Sequence, residues 1–488
     1  MIIGADVGTQ SLKVAVLDGD LRMVGHSAKC YRPSYPRPGW VEQAPDLWTD
    51  ALGPAIAEAL ASAGAAPTEI QAIGFCGQLD GCIAVDANGR PLSPCLTWMD
   101  RRATEEIGDI PSGRVRAECG LVLDPSHLGA KARWLTRHLA PAARIARFHQ
   151  PVSYMVEQLT GTAIIDHALA STSMLYSLDR RGYDPALLES FDLSEAQLPP
   201  IAEAETCAGM LNQRGAALTG LPVGVPVAVG TGDDFGAPLG AGFNAPGRIA
   251  VVLGTGEVVG GLHLTALRDE SGLLETHAYP GGAFFIENPG WLSGGAVAWL
   301  SQLLNIPDLA TLNALAAEVP AGADGLSFMP ALTGAMAPEW QPAARGCFYG
   351  MTPAHGRGHM VRAVLEGCAF AMRDVIDRLD QMGVAADSLL LIGGGAHSRL
   401  WSQMRADIMQ RPVEVPACID SAPVGAALLA AVAGGVVRDL DEAVGSLSAR
   451  HTQIEPDPRQ AGAYDEAYGS YRRLFQSLKP LFTEQQRN

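Results

Sequence analysis

Met1-Ile2-Ile3-Gly4-Ala5-Asp6-Val7-Gly8-Thr9-Gln10-Ser11-Leu12-Lys13-Val14-Ala15-Val16-Leu17-Asp18 is an apolar run, a tight turn at Gly8–Ser11 and a second apolar run. The pattern predicts a β-hairpin with an acid, Asp6, closing its first strand. The same unit recurs about 245 residues later. There Arg248-Ile249-Ala250-Val251-Val252-Leu253 runs into Gly254-Thr255-Gly256 and resumes as Val258-Val259-Gly260-Gly261-Leu262. Two such hairpins predict an internal duplication, a pair of related α/β domains facing one another.

Outward from the first hairpin, the periodicity predicts a helix over Asp46–Ala63, strands over residues 70–76 and 81–86, and helices near residues 126–138 and 151–159. In the second half, apolar residues at Val361, Val364, Leu365, Cys368, Met372, Val375, Ile376 and Leu379 mark one buried face of a long helix, and Glu366 falls on its polar side. A strand over residues 388–392, a glycine run, a helix over residues 398–409 and an Ala-rich helix from Val424 follow. The turn cluster at residues 240–247 separates the halves. The expected division is residues 1–244, residues 245–440 and a C-terminal helical extension, 441–488.

Composition narrows the function. At 488 residues, 48% hydrophobic and 18% charged, with 55 Gly and 33 Pro, the chain reads as a turn-rich globular protein of several domains. A formal charge of -17 repels phosphate backbones and anionic membrane surfaces, so neither nucleic acid nor membrane is an expected partner. Nine cysteines without a C-x-x-C pair read as reduced thiols. Asp6 precedes the first basic residue, Lys13, so no leader pattern is visible, and the longest nearly apolar stretch, residues 424–437, is too short to span a bilayer. A cytoplasmic protein is expected.

Phosphate loops of the G-x-x-x-x-G-K-[ST] type, H-E-x-x-H helices and G-x-S-x-G elbows are absent. His355 and His359 are separated by glycines and read as an exposed loop. What remains is carboxylates beside glycine turns. Backbone N–H groups and hydroxyls of Gly8, Thr9, Gln10 and Ser11 can surround a phosphate, and Asp6 beside that anion makes physical sense with a divalent cation between them. Lys13 adds positive charge. Alone, this motif reads better as a turn closed by a strand-terminating Asp. It does not stand alone: Gly232-Asp233-Asp234 ends another apolar strand, a position suited to a general base. Adjacent acids there point to opposite sides, so one of the two faces the reacting group. Gly254-Thr255-Gly256 offers a second phosphate turn, and Gly393-Gly394-Gly395-Ala396 a flat surface for a purine ring.

These segments, with Trp40-Val41-Glu42-Gln43, Gly77-Gln78-Leu79-Asp80-Gly81, Trp98-Met99-Asp100-Arg101-Arg102, Arg362-Ala363-Val364-Leu365-Glu366-Gly367 and His397-Ser398, resemble in order and spacing the FGGY family of carbohydrate kinases, and most of all its xylulose kinases. The resemblance spans nearly the whole chain. It implies two ribonuclease-H-like domains of the actin/hexokinase/Hsp70 ATPase architecture with an interdomain cleft, sugar on the first domain and nucleotide on the second. It further implies ATP and Mg2+ as cofactors, D-xylulose or another small ketose or polyol as substrate, and a homodimer. Asp233 matches the catalytic base and Asp6 the Mg-associated acid. Gln78, Leu79, Asp80, Asp100, Asp233 and Asp234 match the sugar-pocket segments. Gly8, Thr9, Gln10, Lys13, Gly254, Thr255, Gly294, Gly394, Gly395 and Ser398 fall on the nucleotide side.

The chain departs from the xylulose kinase pattern where Leu79-Asp80 replaces Met-His, Asp234 replaces Asn, Gly334-Ala335-Met336-Ala337-Pro338 replaces Gly-Glu-Arg-Thr-Pro, and Gly256-Glu257 replaces Ser-Gly. These changes bear on the substrate more than on the reaction. Two rivals remain open on sequence alone: an actin-like ATPase machine, against which a catalytic Asp233 speaks, and a sugar-sensing descendant without turnover.

Overall fold

The structure, a computed structural model, describes residues 1–141, 144–418, 420–448 and 451–485. The opening hairpin forms as expected: Ile2–Val7 pairs antiparallel with Ser11–Leu17, which places Asp6 opposite Lys13. Ala72–Gly77 runs parallel to Ile2–Val7 on its other side, and Met23–Cys30 extends the sheet beyond Ser11–Leu17. Pro226–Ala228 and Cys207–Met210 complete the opposite edge, and the short strand Thr231–Gly232 joins Ala72–Gly77. A second seven-stranded sheet repeats the plan. Gly247–Leu253 and Gly256–His263 are its hairpin, Phe284–Leu292 and Glu275–Ala278 extend it antiparallel, and Ala386–Ile392 and Val413–Val415 run parallel on the other side. The duplication legible in two hairpins therefore extends to the order and sense of five strands in each half.

Both faces of the first sheet are covered, which is why its central strands are fully buried and, Asp6 apart, apolar. Asp46–Ala63 packs against Ser11–Leu17 and Met23–Cys30, and the Ala-rich helix Ser421–Ala433 against Ile2–Val7 and Ala72–Gly77. The second contact is unusually close. A Cβ on Gly4 would lie 1.8 Å from the Pro423 carbonyl oxygen and one on Gly74 2.2 Å from that of Ala426, so these strand positions must be glycine. A helix from the second half of the chain thus packs on the sheet of the first half.

Arg357–Gln381 is the long helix predicted from periodicity, and it starts earlier than residue 361 because Gly356 caps it, which puts His359 on its first turn. Glu366 is buried, not solvated: it accepts from Arg362 at 2.7 Å and from the Gly322 N–H at 3.0 Å. The terminal helix Ala461–Gln485 lays Tyr464, Tyr471, Phe475 and Phe482 on Phe370 and Ile408 of the second half. Among the described residues no helix is long and apolar enough to cross a membrane, and all nine cysteines are unpaired.

Candidate active site

Between the two sheets lies a cavity of about 390 Å³. Thr9, Gln78, Leu79, Asp80, Trp98 and His127 line it from the first half and Val252, Gly254, Glu275, His277 and Glu287 from the second. Asp233 and Asp234 stand where the halves meet.

Asp6 ends the first central strand and Asp233 opens the helix Asp233–Gly240, capped by Gly232. Asp6 is buried and Asp233 half-buried, and the charge of Asp233 reaches Asp6. Burial first, and then the charge of Asp233, pushes Asp6 up to about 8 despite Lys13. Burial also raises Asp233, to about 6, although hydrogen bonds from its own N–H and that of Asp234 oppose the shift. Asp6 Oδ1 is enclosed without a hydrogen-bond partner. Lys13 is partly drawn away by Asp420, at 2.6 Å. An acid pair with an enclosed, unpartnered oxygen is what a divalent cation relieves, so the residues fit one. No cluster of three or more His, Cys, Asp or Glu suited to a metal occurs among the described residues. A hard cation here would take its remaining ligands from phosphate and water.

The two phosphate turns face the same cleft. In the first, the Gly8 N–H closes on the Ser11 carbonyl, Trp98 Nε1 donates to Thr9 Oγ1 at 3.1 Å, and Gln10 is exposed and lies off the cavity wall. In the second, the N–H groups of Ser293 and Gly295 donate to the Thr255 carbonyl, which fastens the N-terminus of the helix Gly294–Leu303 to the turn. A Cβ on Gly294 would sit 2.2 Å from the Gly254 carbonyl oxygen, so glycine lets helix and turn meet. Gly394 has open space where a side chain would be, and Gly395 packs on Leu253 and Trp401. Ser398 differs from expectation. It caps the helix Arg399–Met409, accepting from the Trp401 N–H while its hydroxyl donates to Asn313, so it is buried structure rather than an exposed ligand contact.

The sugar-side residues divide in two. Gln78 Nε2 donates to Gln43 at 2.6 Å and its Oε1 has no partner, while Leu79 and Asp80 line the cavity. Asp100 does not. It is fully buried behind the wall, where Arg102 and the Val41 N–H occupy its carboxylate, and Arg102 also pairs with Glu42 and stacks 3.7 Å over Trp40. Arg101 lines the cavity and is tied to Asp124. Lining residues that carried no motif in the sequence include His127, Glu275, His277 and Glu287. Glu275 and His277 alternate on the strand Glu275–Ala278, and Glu287 is the registered partner of Glu275. Acids and a histidine at alternate positions of a buried strand were the available signal. Burial raises both Asp234 and Glu287 well above the usual carboxyl range, helped by Asp233 and Glu287 at the former and by Glu275 and Asp80 at the latter.

The model of the FGGY family of carbohydrate kinases, N-terminal domain, matches residues 1–240, and that of its C-terminal domain matches residues 249–434. The chain belongs to the FGGY family. A xylulose kinase of Escherichia coli is 30% identical over 99% of this chain and 100% of its own. A glycerol kinase of Allorhizobium ampelinum is 32% identical, covering 93% and 94%. The crystal structure of xylulose kinase from Rhodospirillum rubrum superposes with a TM-score of 0.90 at 31% identity, covering 99% of each chain. This FGGY kinase is thus an ATP-dependent carbohydrate phosphotransferase of the actin/hexokinase/Hsp70 ATPase fold.

One departure of this FGGY kinase from the xylulose kinase pattern gains a physical account. Glu257, next to the second phosphate turn, is fully buried and bidentate to Arg405, at 2.5 and 2.7 Å. Arg405 comes from the helix that follows the glycine run and lies over Trp401. The pair ties the phosphate turn to the flat surface beside Gly394. Of the Ala335–Met336 change, Met336 reaches the cavity wall.

Proposed function

We propose that this FGGY kinase transfers the γ-phosphoryl group of ATP to the terminal hydroxyl of a small ketose, D-xylulose giving D-xylulose 5-phosphate, in the cytoplasm. The observation that carries the reading is Asp233, a half-buried carboxyl raised to about 6, on a sugar-sized cavity between two phosphate turns. Residues 1–244 supply the sugar side and residues 245–440 the nucleotide side, with the helix Ala461–Gln485 of the C-terminal extension bracing the latter. D-xylulose is favoured by the whole-length likeness to xylulose kinases, and glycerol kinases at similar identity make the substrate the part to test.

In the mechanism, Asp233 accepts the proton of the attacking hydroxyl as that oxygen bonds to the γ-phosphorus and the bond to the β-bridging oxygen breaks, so ADP leaves with the electron pair. Backbone N–H groups at Gly8–Thr9 and Gly254–Thr255, with the helix starting at Gly294, hold the phosphate oxygens. Asp6 would hold Mg2+, which would supply neutralisation of the phosphate charge. Lys13 adds charge beside it, and Gly394 and Gly395 leave room for the adenosine. Gln78, Leu79, Asp80 and Asp234 contact the sugar. The two halves, closing over the cavity, exclude water that would otherwise take the phosphoryl group.

The test is ADP release with Mg-ATP over a panel of ketotetroses, ketopentoses, ketohexoses and polyols. Turnover peaking on D-xylulose is the expected result. Turnover peaking elsewhere reassigns the substrate, and ATP binding without sugar-dependent turnover on any member overturns the kinase reading in favour of a sensor. A second expectation concerns pH. A base must be unprotonated to work, so kcat/KM for the sugar is expected to rise with pH through about 6 and then level, as Asp233 ionises. A profile flat across that range would remove Asp233 from the role.

A further inference from the structure

The sugar side of the cavity is rich in carboxyl and amide oxygens. Gln78 Oε1 and Glu287 Oε2 have no partner in the protein, and the carboxyls of Asp234 and Glu275 stand beside them. Sugar hydroxyls can donate to such groups, whereas a carbonyl oxygen only accepts. A wall of this kind binds the hydroxyls of a polyol along its length, and a ketone oxygen in it is best met by a charged donor held in one direction.

His127 provides it. The residue lines the cavity at the N-cap of the helix Leu128–His138, is 5% exposed, and uses its side chain in no cap bond. Nδ1 lies 3.2 Å from Asp80 Oδ2 and 3.3 Å from Oδ1. A carboxylate only accepts, so Nδ1 carries a proton and Nε2 is the nitrogen left over. Among the described residues nothing hydrogen-bonds to Nε2. Burial alone would lower the imidazole, but the charge and hydrogen bond of Asp80, with Glu275 and Asp124 behind it, push it up to about 9, so near neutral pH Nε2 is protonated too. The neighbouring cations are committed elsewhere. Arg101 is tied to Asp124, Lys131 Nζ donates to the Asp80 and Ser126 carbonyls, and His277 is kept neutral by burial with its Nδ1 fully enclosed.

Asp80 is held in place by more than its neighbour. Its φ of +59° is left-handed, a conformation costly for a residue with a side chain. Two buried side chains enforce it: the Asp80 N–H donates to Gln150 Oε1 at 2.9 Å and its carbonyl accepts from Lys131 at 2.8 Å. Gln150 is itself anchored on the Leu169 carbonyl at 2.7 Å. Such a frame aims the carboxylate, and through it the imidazole, in one direction.

We propose that His127 recognises the carbonyl of the sugar, donating from Nε2 to the ketone oxygen, with Asp80 as its positioning residue. The inference rests on the kinase reading above and adds what distinguishes a ketose from its alditol in this pocket. The experiment compares kcat/KM for D-xylulose and for xylitol, in which a hydroxyl replaces the ketone, in wild type, His127→Leu and His127→Gln. Wild type is expected to favour the ketose. Loss of a charged donor in His127→Leu should lower kcat/KM for the ketose by roughly 10- to 100-fold and for the alditol by no more than about twofold, with His127→Gln between because its amide still donates. Equal losses on both substrates, as a structural defect would give, or an unchanged ratio overturn the proposal. If His127→Leu does not fold, His127→Gln and Asp80→Asn carry the comparison, and each must narrow the ratio. If wild type turns over neither sugar, the assignment of D-xylulose fails, and the proposal is then tested by thermal unfolding with each sugar present. The ketose must raise the wild-type midpoint more than the alditol and lose that advantage in the variants, and equal effects, or none, overturn it.

Discussion

Asp233→Asn is expected to lower sugar-dependent ADP release by roughly 10²- to 10⁴-fold, the range over which a positioned base contributes. The substitution is nearly isosteric and leaves the N-terminal position of the helix Asp233–Gly240 occupied. An amide can still accept a hydrogen bond from the attacking hydroxyl but cannot take its proton, so the loss should fall on kcat and leave sugar binding close to wild type. Stability should move the other way. The carboxyl of Asp233 is raised from 3.8 to about 6 in the folded protein, chiefly by burial. A group raised on folding stabilises the fold while protonated, and that contribution is lost as pH rises from about 4 through about 6. At neutral pH the wild type therefore holds a charge that burial disfavours, and the Asn variant does not. Thermal unfolding near pH 7 should show the variant equal to or more stable than wild type. A variant that loses both activity and stability would mark Asp233 as structural.

Arg405→Leu is the second change expected to act strongly, and its effect should be on the fold. Arg405 and Glu257 are both wholly enclosed, so removing one partner leaves the other charge buried and unpaired, at a cost of about 3–5 kcal/mol. Glu257→Leu combined with Arg405→Leu should recover most of that loss, because replacing both charges by apolar groups removes the desolvation cost as well. Chemical denaturation of the single and double variants measures the difference. The pair also joins the phosphate turn at Gly254–Gly256 to the helix Arg399–Met409. The double variant, although stable, is therefore expected to show a raised KM for ATP. A double variant no more stable than Arg405→Leu would show that the loss came from packing against Met372 and Trp401 rather than from the stranded charge.

Much of the site was legible because the information is local. Asp6, Gly8, Thr9, Asp233, Gly254 and Thr255 sit at strand ends and turns whose geometry follows from glycine spacing and the residues on either side. The residues that resisted reading resisted for one reason. Asp100 and Ser398 stand in the right segments, yet their side chains turn into the protein, the first to Arg102 and the second to Asn313 and the Trp401 N–H. Which way a short polar side chain turns depends on the full set of groups around it, and that set includes distant ones, the Val41 N–H for Asp100 and Asn313 for Ser398. His127, Glu275, His277 and Glu287 were missed for the converse reason. Each is unremarkable in its own segment, and only the strand pairing of Glu275–Ala278 with Phe284–Leu292 and its contact with the first half bring them to one cavity.

The sequence by itself determined the two hairpins, the acid that closes the first of them, the duplicated α/β plan and the family chemistry, since each is encoded within a few residues as turn-forming glycines and alternating apolar runs. The tertiary structure alone decided that Ser421–Ala433 crosses to the first sheet, that Glu257 meets Arg405, and that Asp80 is balanced by His127 rather than left as a bare charge. Burying a carboxylate is costly unless a partner is brought to it, and a partner 47 or 148 residues away is found only when the chain has packed.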